Sequence, residues 1–213
     1  RVKRYFTYLI LLSLLGEWYS FSTQAPLNII IPLIGAFAFS HLTESILRHF
    51  YYSQAKNKLS ANENLKIVAI TASFGKTSIK HFLHTFIKDD INSYMSPGSV
   101  NTEVGLMADI NNNLEEDCEV YIAEAGARKE EDILKIARLL EHQYAIIGSV
   151  GKQHIEYFKT LDNIKRTKRE ALASVRLQKA FVHQSVAIDA PNLISFGEEA
   201  DIQITNIKAT LKG

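Results

Sequence analysis

Cysteine and net charge are what this sequence has least of. Cys118 is the only cysteine in 213 residues, which excludes an internal disulfide, fits a reducing compartment and leaves the thiol as a packing residue. The formal net charge is +1. Lysine and arginine are spread along the chain and form no stripe, so nothing calls for nucleic acid as a partner. Past residue 64 there is no internal repeat and no low-complexity segment. Charge is also missing locally, because no Asp, Glu, Lys or Arg occurs from Trp18 to Thr43.

That gap is filled by apolar sequence. Leu27 to Leu42 contains Ile29, Ile30, Ile31, Leu33, Ile34, Phe37 and Phe39, enough to predict a membrane span. An earlier run, Tyr5 to Phe21, is interrupted by Glu17 but carries Trp18 and Tyr19, an interfacial aromatic pair. The pattern predicts a transmembrane helical hairpin over residues 1–43 with its turn at Ser22 to Pro26. Arg1, Lys3 and Arg4 precede it and Arg48, Lys56 and Lys58 follow it. Both cationic flanks therefore fall on one side, which the positive-inside tendency makes cytoplasmic. A cleaved signal peptide fits less well, since two spans follow one another with no small-residue cleavage site. Residues 44–64 read as a polar, partly helical connector. The chain starts at Arg1 without methionine and stops at Gly213 after a strand-like run, so a fragment of a longer protein is expected.

At 46% hydrophobic and 22% charged, the whole chain suits one folded domain plus something extra, the domain being organised around Lys66 to Lys80. Ile67 to Thr71 reads as a buried parallel strand, and a small-residue turn delivers Gly75, Lys76 and Thr77 to a helix start. Unpaired N–H groups at that start, a close-approaching glycine, a lysine charge and a hydroxyl for Mg2+ are the parts of a triphosphate cradle. The common motif has a glycine four residues ahead of the Gly-Lys pair, where this chain has Ile70 and then Thr71, Ala72, Ser73 and Phe74. By itself the stretch also fits an ordinary strand-to-helix turn.

Beyond it, helices expected at 77–88, 102–111, 130–140 and 162–174 alternate with strands at 93–95, 120–124 and 144–150. Ile133, Leu134, Ile136, Ala137 and Leu140 mark a helix face. Such alternation predicts an α/β fold, a P-loop-type parallel sheet with helices on both faces and ligands at the strand carboxyl ends. Runs at 180–186, 193–196 and 202–207 read as further strands, placed at the edge. Three polar residues follow strand ends on the loop's rim. Glu124 fits a Mg2+ ligand or a helix-capping acid, and His154 a metal ligand or an acid-base group. Lys168, in the run Lys165 to Glu170, reads by composition as a solvated helix face.

Taken in order, these stretches resemble the Mur ligase family. The carrying residues are the run Ile70 to Ser78, Asn101 in Gly-Ser-Val-Asn-Thr-Glu-Val-Gly, Glu124 in Ala-Glu-Ala-Gly-Ala, His154 in His-Ile-Glu-Tyr-Phe and Lys168 in Thr-Lys-Arg-Glu-Ala. The resemblance covers residues 65 to 210, so 65–213 is expected to be the ATP-binding central domain, without the family's uridine-nucleotide and carboxy-terminal domains. It points to the branch that adds D-alanyl-D-alanine to a UDP-N-acetylmuramoyl tripeptide in peptidoglycan precursor synthesis. It implies an ATP-dependent amide ligase working through an acyl phosphate, here held at the inner membrane with its ATP site facing the cytoplasm. Ser73, Phe74, Gly75, Lys76, Thr77, Ser78 and Asn101 would hold ATP. Thr77 and Glu124 would hold a first Mg2+, and His154 and Lys168 would serve a second, the family lysine being carbamylated. Lys76, Glu124, His154 and Lys168 would be the catalytic set. The family loop carries glycine where this chain has Ala72; a left-handed backbone there would cost about 1 to 2 kcal/mol. Two rivals are a poly-γ-glutamate synthase-like membrane ligase and an inactive nucleotide-binding scaffold.

Overall fold

The computed structural model describes residue 15 and residues 30–151, 155–186, 188, 190 and 192–203. The first expected span apart from Leu15, the hairpin turn and His154 lie outside the described residues. The chain divides into two compact units, residues 1–51 and 52–213.

Helix α1 runs over Ile30–Ala61. No Gly or Pro follows Gly35 within it, so nothing breaks it at the expected boundary between hairpin and connector, and residues 44–61 continue the same helix. Its start is apolar, but Glu44, Arg48, Lys56 and Lys58 come later. Among the described residues no helix is long and apolar enough to cross a membrane.

The second unit is the expected α/β domain. Its elements are β1 (Lys66–Thr71), α2 (Lys76–Ile87), β2 (Ser93–Met95), α3 (Glu103–Asn113), β3 (Val120–Glu124), α4 (Asp132–Leu140) and β4 (Tyr144–Ile147). Then come α5 (Ile155–Phe158), α6 (Leu161–Arg169), β5 (Lys179–His183), β6 (Leu193–Gly197) and β7 (Ile202–Gln203). The strands form one sheet in the order β2-β3-β1-β4-β5-β6-β7, and every pairing is parallel. β1 lies between β3 and β4, where the connections diverge to the two sides, and its carboxyl end opens into the crevice where such sheets take ligands.

The run Ile67 to Thr71 is buried throughout because both faces are covered. Ile67 and Ala69 join Leu106, Ile110, Ile133, Ile136 and Leu140 in the larger core, which also receives Ala55 and Leu59 from the end of α1. Val68 and Ile70 point the other way, onto Ile79, Leu83 and Ile87 of α2. The two-residue period of the strand thus divides one apolar run between two layers.

Several expected boundaries move. β4 stops at Ile147, and residues 148–151 form a loop. α6 stops at Arg169 and tightens into a 3-10 turn over Glu170–Ala173. The strand expected at 180–186 ends at His183, followed by a 3-10 turn over Gln184–Val186. It is not an edge strand: β5 pairs with β4 on one side and β6 on the other. Along it Ala180 and Val182 are buried while Phe181 and His183 are only half-buried.

Candidate nucleotide and cation site

The loop between β1 and α2 owes its shape to one glycine. Gly75 has φ 76°, a left-handed conformation that side-chain-bearing residues resist. It precedes α2, whose amino end has no side-chain cap, so the first-turn N–H groups face the loop. Ala72 needs no such conformation, since the non-glycine residues with positive φ among those described are Glu131, Glu141 and Lys159. The penalty considered for alanine there does not arise. Ala72 is fully buried and packs over Gly148, where an added Cβ would lie 2.8 Å from the Ala72 Cβ.

Ser73 ties this loop to the one after β4. Its N–H donates to Ser149 O at 2.9 Å, its hydroxyl donates to Gly151 O at 3.2 Å, and the Gly151 N–H donates back to Ser73 Oγ at 3.1 Å. Phe74 and Ser78 are exposed. The Lys76 amine donates to Ala72 O at 3.0 Å, and burial lowers its pKa from the ordinary value, opposed by Glu124.

Glu124 is the centre of the arrangement. It ends β3 with 1% of its surface exposed. Thr77 Oγ1 donates to its Oε2 at 2.9 Å and Asn101 Nδ2 to its Oε1 at 3.1 Å. The alternative of a helix-capping acid does not hold, since the carboxylate bonds to side chains from α2 and the β2–α3 turn. Gly126 allows this closeness, because a Cβ there would lie 2.7 Å from the Asn101 side chain. The Glu124 carboxylate and the Thr77 hydroxyl are oxygen groups suited to a hard cation, with the Asn101 amide holding the carboxylate in place. Among the described residues no group of three or more His, Cys, Asp or Glu could hold a metal alone. A cation here would therefore be shared with phosphate oxygens, the usual manner of Mg2+.

Lys168 corrects the reading of its sequence. The run Lys165 to Glu170 is not uniformly solvated: Arg166 is exposed, while Thr167 and Lys168 are buried. Burial first and the Lys76 cation second push the Lys168 amine down to about 8, with Glu170 opposing both. Glu170 accepts from the N–H groups of Glu131 and Leu134 at 2.8 and 3.0 Å, at the start of α4. Loop, Glu124, Asn101 and Thr77 are thus brought together, with Lys168 within electrostatic reach of Lys76.

Sequence reasoning overlooked Lys80. It is fully buried, with its amine 2.7 Å from Ser96 O, 2.6 Å from Gly98 O and 3.6 Å from Glu124 Oε2. The signal was its place beside Ile79 and one turn after Lys76, on a helix whose apolar stripe is Ile79, Leu83 and Ile87.

A family model described as the Mur ligase middle domain matches residues 70–211. The chain belongs to the Mur ligase family. Among curated relatives, a UDP-N-acetylmuramoyl-tripeptide--D-alanyl-D-alanine ligase of Rickettsia prowazekii is 31% identical over 109 residues, 51% of this chain and 24% of that protein. The enzyme of the same name from Escherichia coli is 24% identical over 110 residues, 52% of this chain and 24% of its own. The match thus spans about a quarter of the length of these relatives. Among solved structures, MurF from Acinetobacter baumannii shares the fold with a TM-score of 0.68 at 24% identity, covering 74% of this Mur ligase chain and 37% of that one. MurF ligase from Thermotoga maritima, determined in complex with ADP, has a TM-score of 0.59 at 27% identity and covers 70% and 37%.

Proposed function

We propose that this chain supplies the ATP-binding core of an amide ligase that adds D-alanyl-D-alanine to a UDP-N-acetylmuramoyl tripeptide. The observation that carries the reading is the Thr77 hydroxyl on Glu124 at 2.9 Å, placed at the uncapped start of α2 beside Lys76. The names of the relatives and the ADP complex of the Thermotoga maritima enzyme support the substrates and the nucleotide.

In this reading a substrate carboxylate oxygen attacks the γ-phosphorus of ATP and ADP leaves. The dipeptide amine then attacks the acyl phosphate carbonyl, loses a proton and expels phosphate. Lys76 and the first-turn N–H groups of α2 hold the β- and γ-phosphates. Thr77 and Glu124 would hold one Mg2+, which when bound neutralises charge between two anions. Asn101 keeps Glu124 turned toward Thr77. Ser73 fixes the loop against residues 149–151, and Phe74 and Ser78 border its exposed side. The lowered Lys168 amine supports a lysine that reacts with carbon dioxide, since only the neutral amine does so; with His154 it would serve a second cation.

Anchoring at the inner membrane, with the ATP site toward the cytoplasm, is a separate part of the proposal. It is supported by the uncharged stretch from Trp18 to Thr43 and by exposed Ile34, Phe37, Phe39 and Leu42 on α1. Recovery of the full-length protein in a carbonate-resistant membrane fraction is expected, and a soluble full-length protein would reject it.

The deciding experiment is ATP-dependent phosphate release by the full-length protein. It is given the tripeptide nucleotide with D-alanyl-D-alanine, and separately glutamate. Release needing both components of the first pair is expected, with loss of at least a hundredfold, about 3 kcal/mol in the barrier, in Lys76→Ala. Release with glutamate alone would move the protein to polymer synthesis, and none with either would make it an inactive nucleotide-binding scaffold.

A further inference from the structure

Three residues of α2 face the same corner. Lys76 and Lys80 are one turn apart and share a helix face, with Thr77 between them, yet the two lysines are used differently. Lys76 is half-buried at the loop, whereas Lys80 is 0% exposed and so touches neither solvent nor anything that binds in the crevice. A lysine amine has three donors. Two go to Ser96 O and Gly98 O at 2.7 and 2.6 Å, while Glu124 Oε2 lies 3.6 Å away.

The turn that Lys80 grips surrounds Glu124. Ser96 donates its N–H to Ile122 O at 2.9 Å, and its hydroxyl accepts the Glu124 N–H at 3.3 Å. Gly98, at φ 49°, turns the chain back toward Asn101. That residue reaches Glu124 Oε1 at 3.1 Å and accepts the Gly126 N–H on its carbonyl at 2.8 Å. The shortest contacts of Lys80 are to the turn, not to the carboxylate, so its main effect is to place the turn, with charge compensation of Glu124 second.

We infer that Lys80 is a positioning residue of the cation site, clamping the 96–101 turn so that Asn101 holds Glu124 in place and Thr77 and Glu124 present one fixed set of oxygens. The inference rests on the reading of Glu124 as a cation-holding carboxylate and extends it to a residue that never meets the ligand. A group that orients a metal ligand from behind typically changes metal affinity by about 10- to 100-fold when removed. A lysine that only fills the core would weaken every binding property together.

The test is calorimetric ADP binding by the full chain, without Mg2+ and over a Mg2+ series, for the unsubstituted protein, Lys80→Met and Glu124→Gln. Lys80→Met is expected to leave Mg2+-free ADP affinity within about twofold and to raise the Mg2+ needed for half-maximal enhancement by about tenfold. Parallel loss of both affinities, or a lowered Mg2+ requirement as for a simple competing cation, overturns the inference. If Glu124→Gln keeps the full Mg2+ response, or the unsubstituted protein shows none, the cation-site reading itself has failed. If Glu124→Gln abolishes the response and Lys80→Met keeps it, only the role of Lys80 falls. Should Lys80→Met not fold, Ser96→Ala carries the test. It removes the hydroxyl link to Glu124 and is expected to raise the Mg2+ requirement about threefold, an unchanged requirement overturning the inference.

Discussion

Lys80 and Lys168 are both buried, with 0% and 4% of their surfaces exposed, and their surroundings treat charge in opposite ways. Around Lys80 two backbone carbonyls and a carboxylate converge on the amine. Around Lys168, burial and the Lys76 cation act against the charge, and its amine is pushed down to about 8. Burial alone therefore does not decide what a lysine does. The acceptors that the tertiary structure brings to it make one a clamp and leave the other an amine that loses its proton more readily than an ordinary lysine. His142 belongs with Lys168: it is 1% exposed, its Nε2–H donates to Ala171 O at 2.8 Å, and burial pushes its pKa down to about 4.

The comparison breaks most visibly at Lys80. Lys80→Ala strands two carbonyls and takes the cation from beside a buried carboxylate, and urea unfolding is expected to show a loss of about 3–5 kcal/mol. A loss below about 1 kcal/mol would mean that the acceptors find other partners and that the clamp is not needed.

His142 sharpens the contrast through acid. Its folded pKa lies below the unfolded value of 6.5, so the unfolded chain binds the proton first. The stability it allows is complete above pH 6.5 and is lost as pH falls toward about 4. Relative to His142→Gln, which does not titrate, the protein is expected to lose about 3 kcal/mol between pH 7 and pH 4, read from urea midpoints. Parallel pH profiles for the two proteins would contradict a histidine held neutral.

Lys168 should show the smallest change, with the opposite sign to Lys80. Its folded pKa of about 8 lies below the ordinary 10.5, so charging it opposes folding fully below pH 8, and the penalty fades as pH rises to 10.5. Lys168→Met is expected to stabilise the chain by about 1–3 kcal/mol at pH 7, with the gain shrinking toward pH 10. Equal destabilisation by Lys80→Ala and Lys168→Met would erase the distinction between the two lysines.

Much of the architecture was legible from local pattern. β2 and β3 fall where their β-rich runs are, α4 has the expected apolar stripe, and the parallel sheet follows from the alternation of strands and helices. The ends were harder to read, because Val150 and Val186 are apolar residues in loops and turns that complete the core without pairing. The site divides in the same way. Gly75, Lys76, Thr77 and Glu124 announce themselves, being tied to a strand end and a helix start. Ser96, Ser149 and Gly151 act through hydrogen bonds between distant loops and carry no local mark.

The sequence by itself determined that a buried strand must lead through a glycine turn into a helix start, since periodicity and the left-handed need of Gly75 are local properties. It also determined the ordered residues that place the chain in its family. Only the tertiary structure decided that Lys168, in a run of charges, lies inside while Arg166 does not. It likewise brought Ser96 and Gly98 to Lys80 and removed any need for glycine at Ala72. A residue's environment in those cases is made by segments far away in the chain, and the energy of a buried charge or a close contact depends on what those segments present to it.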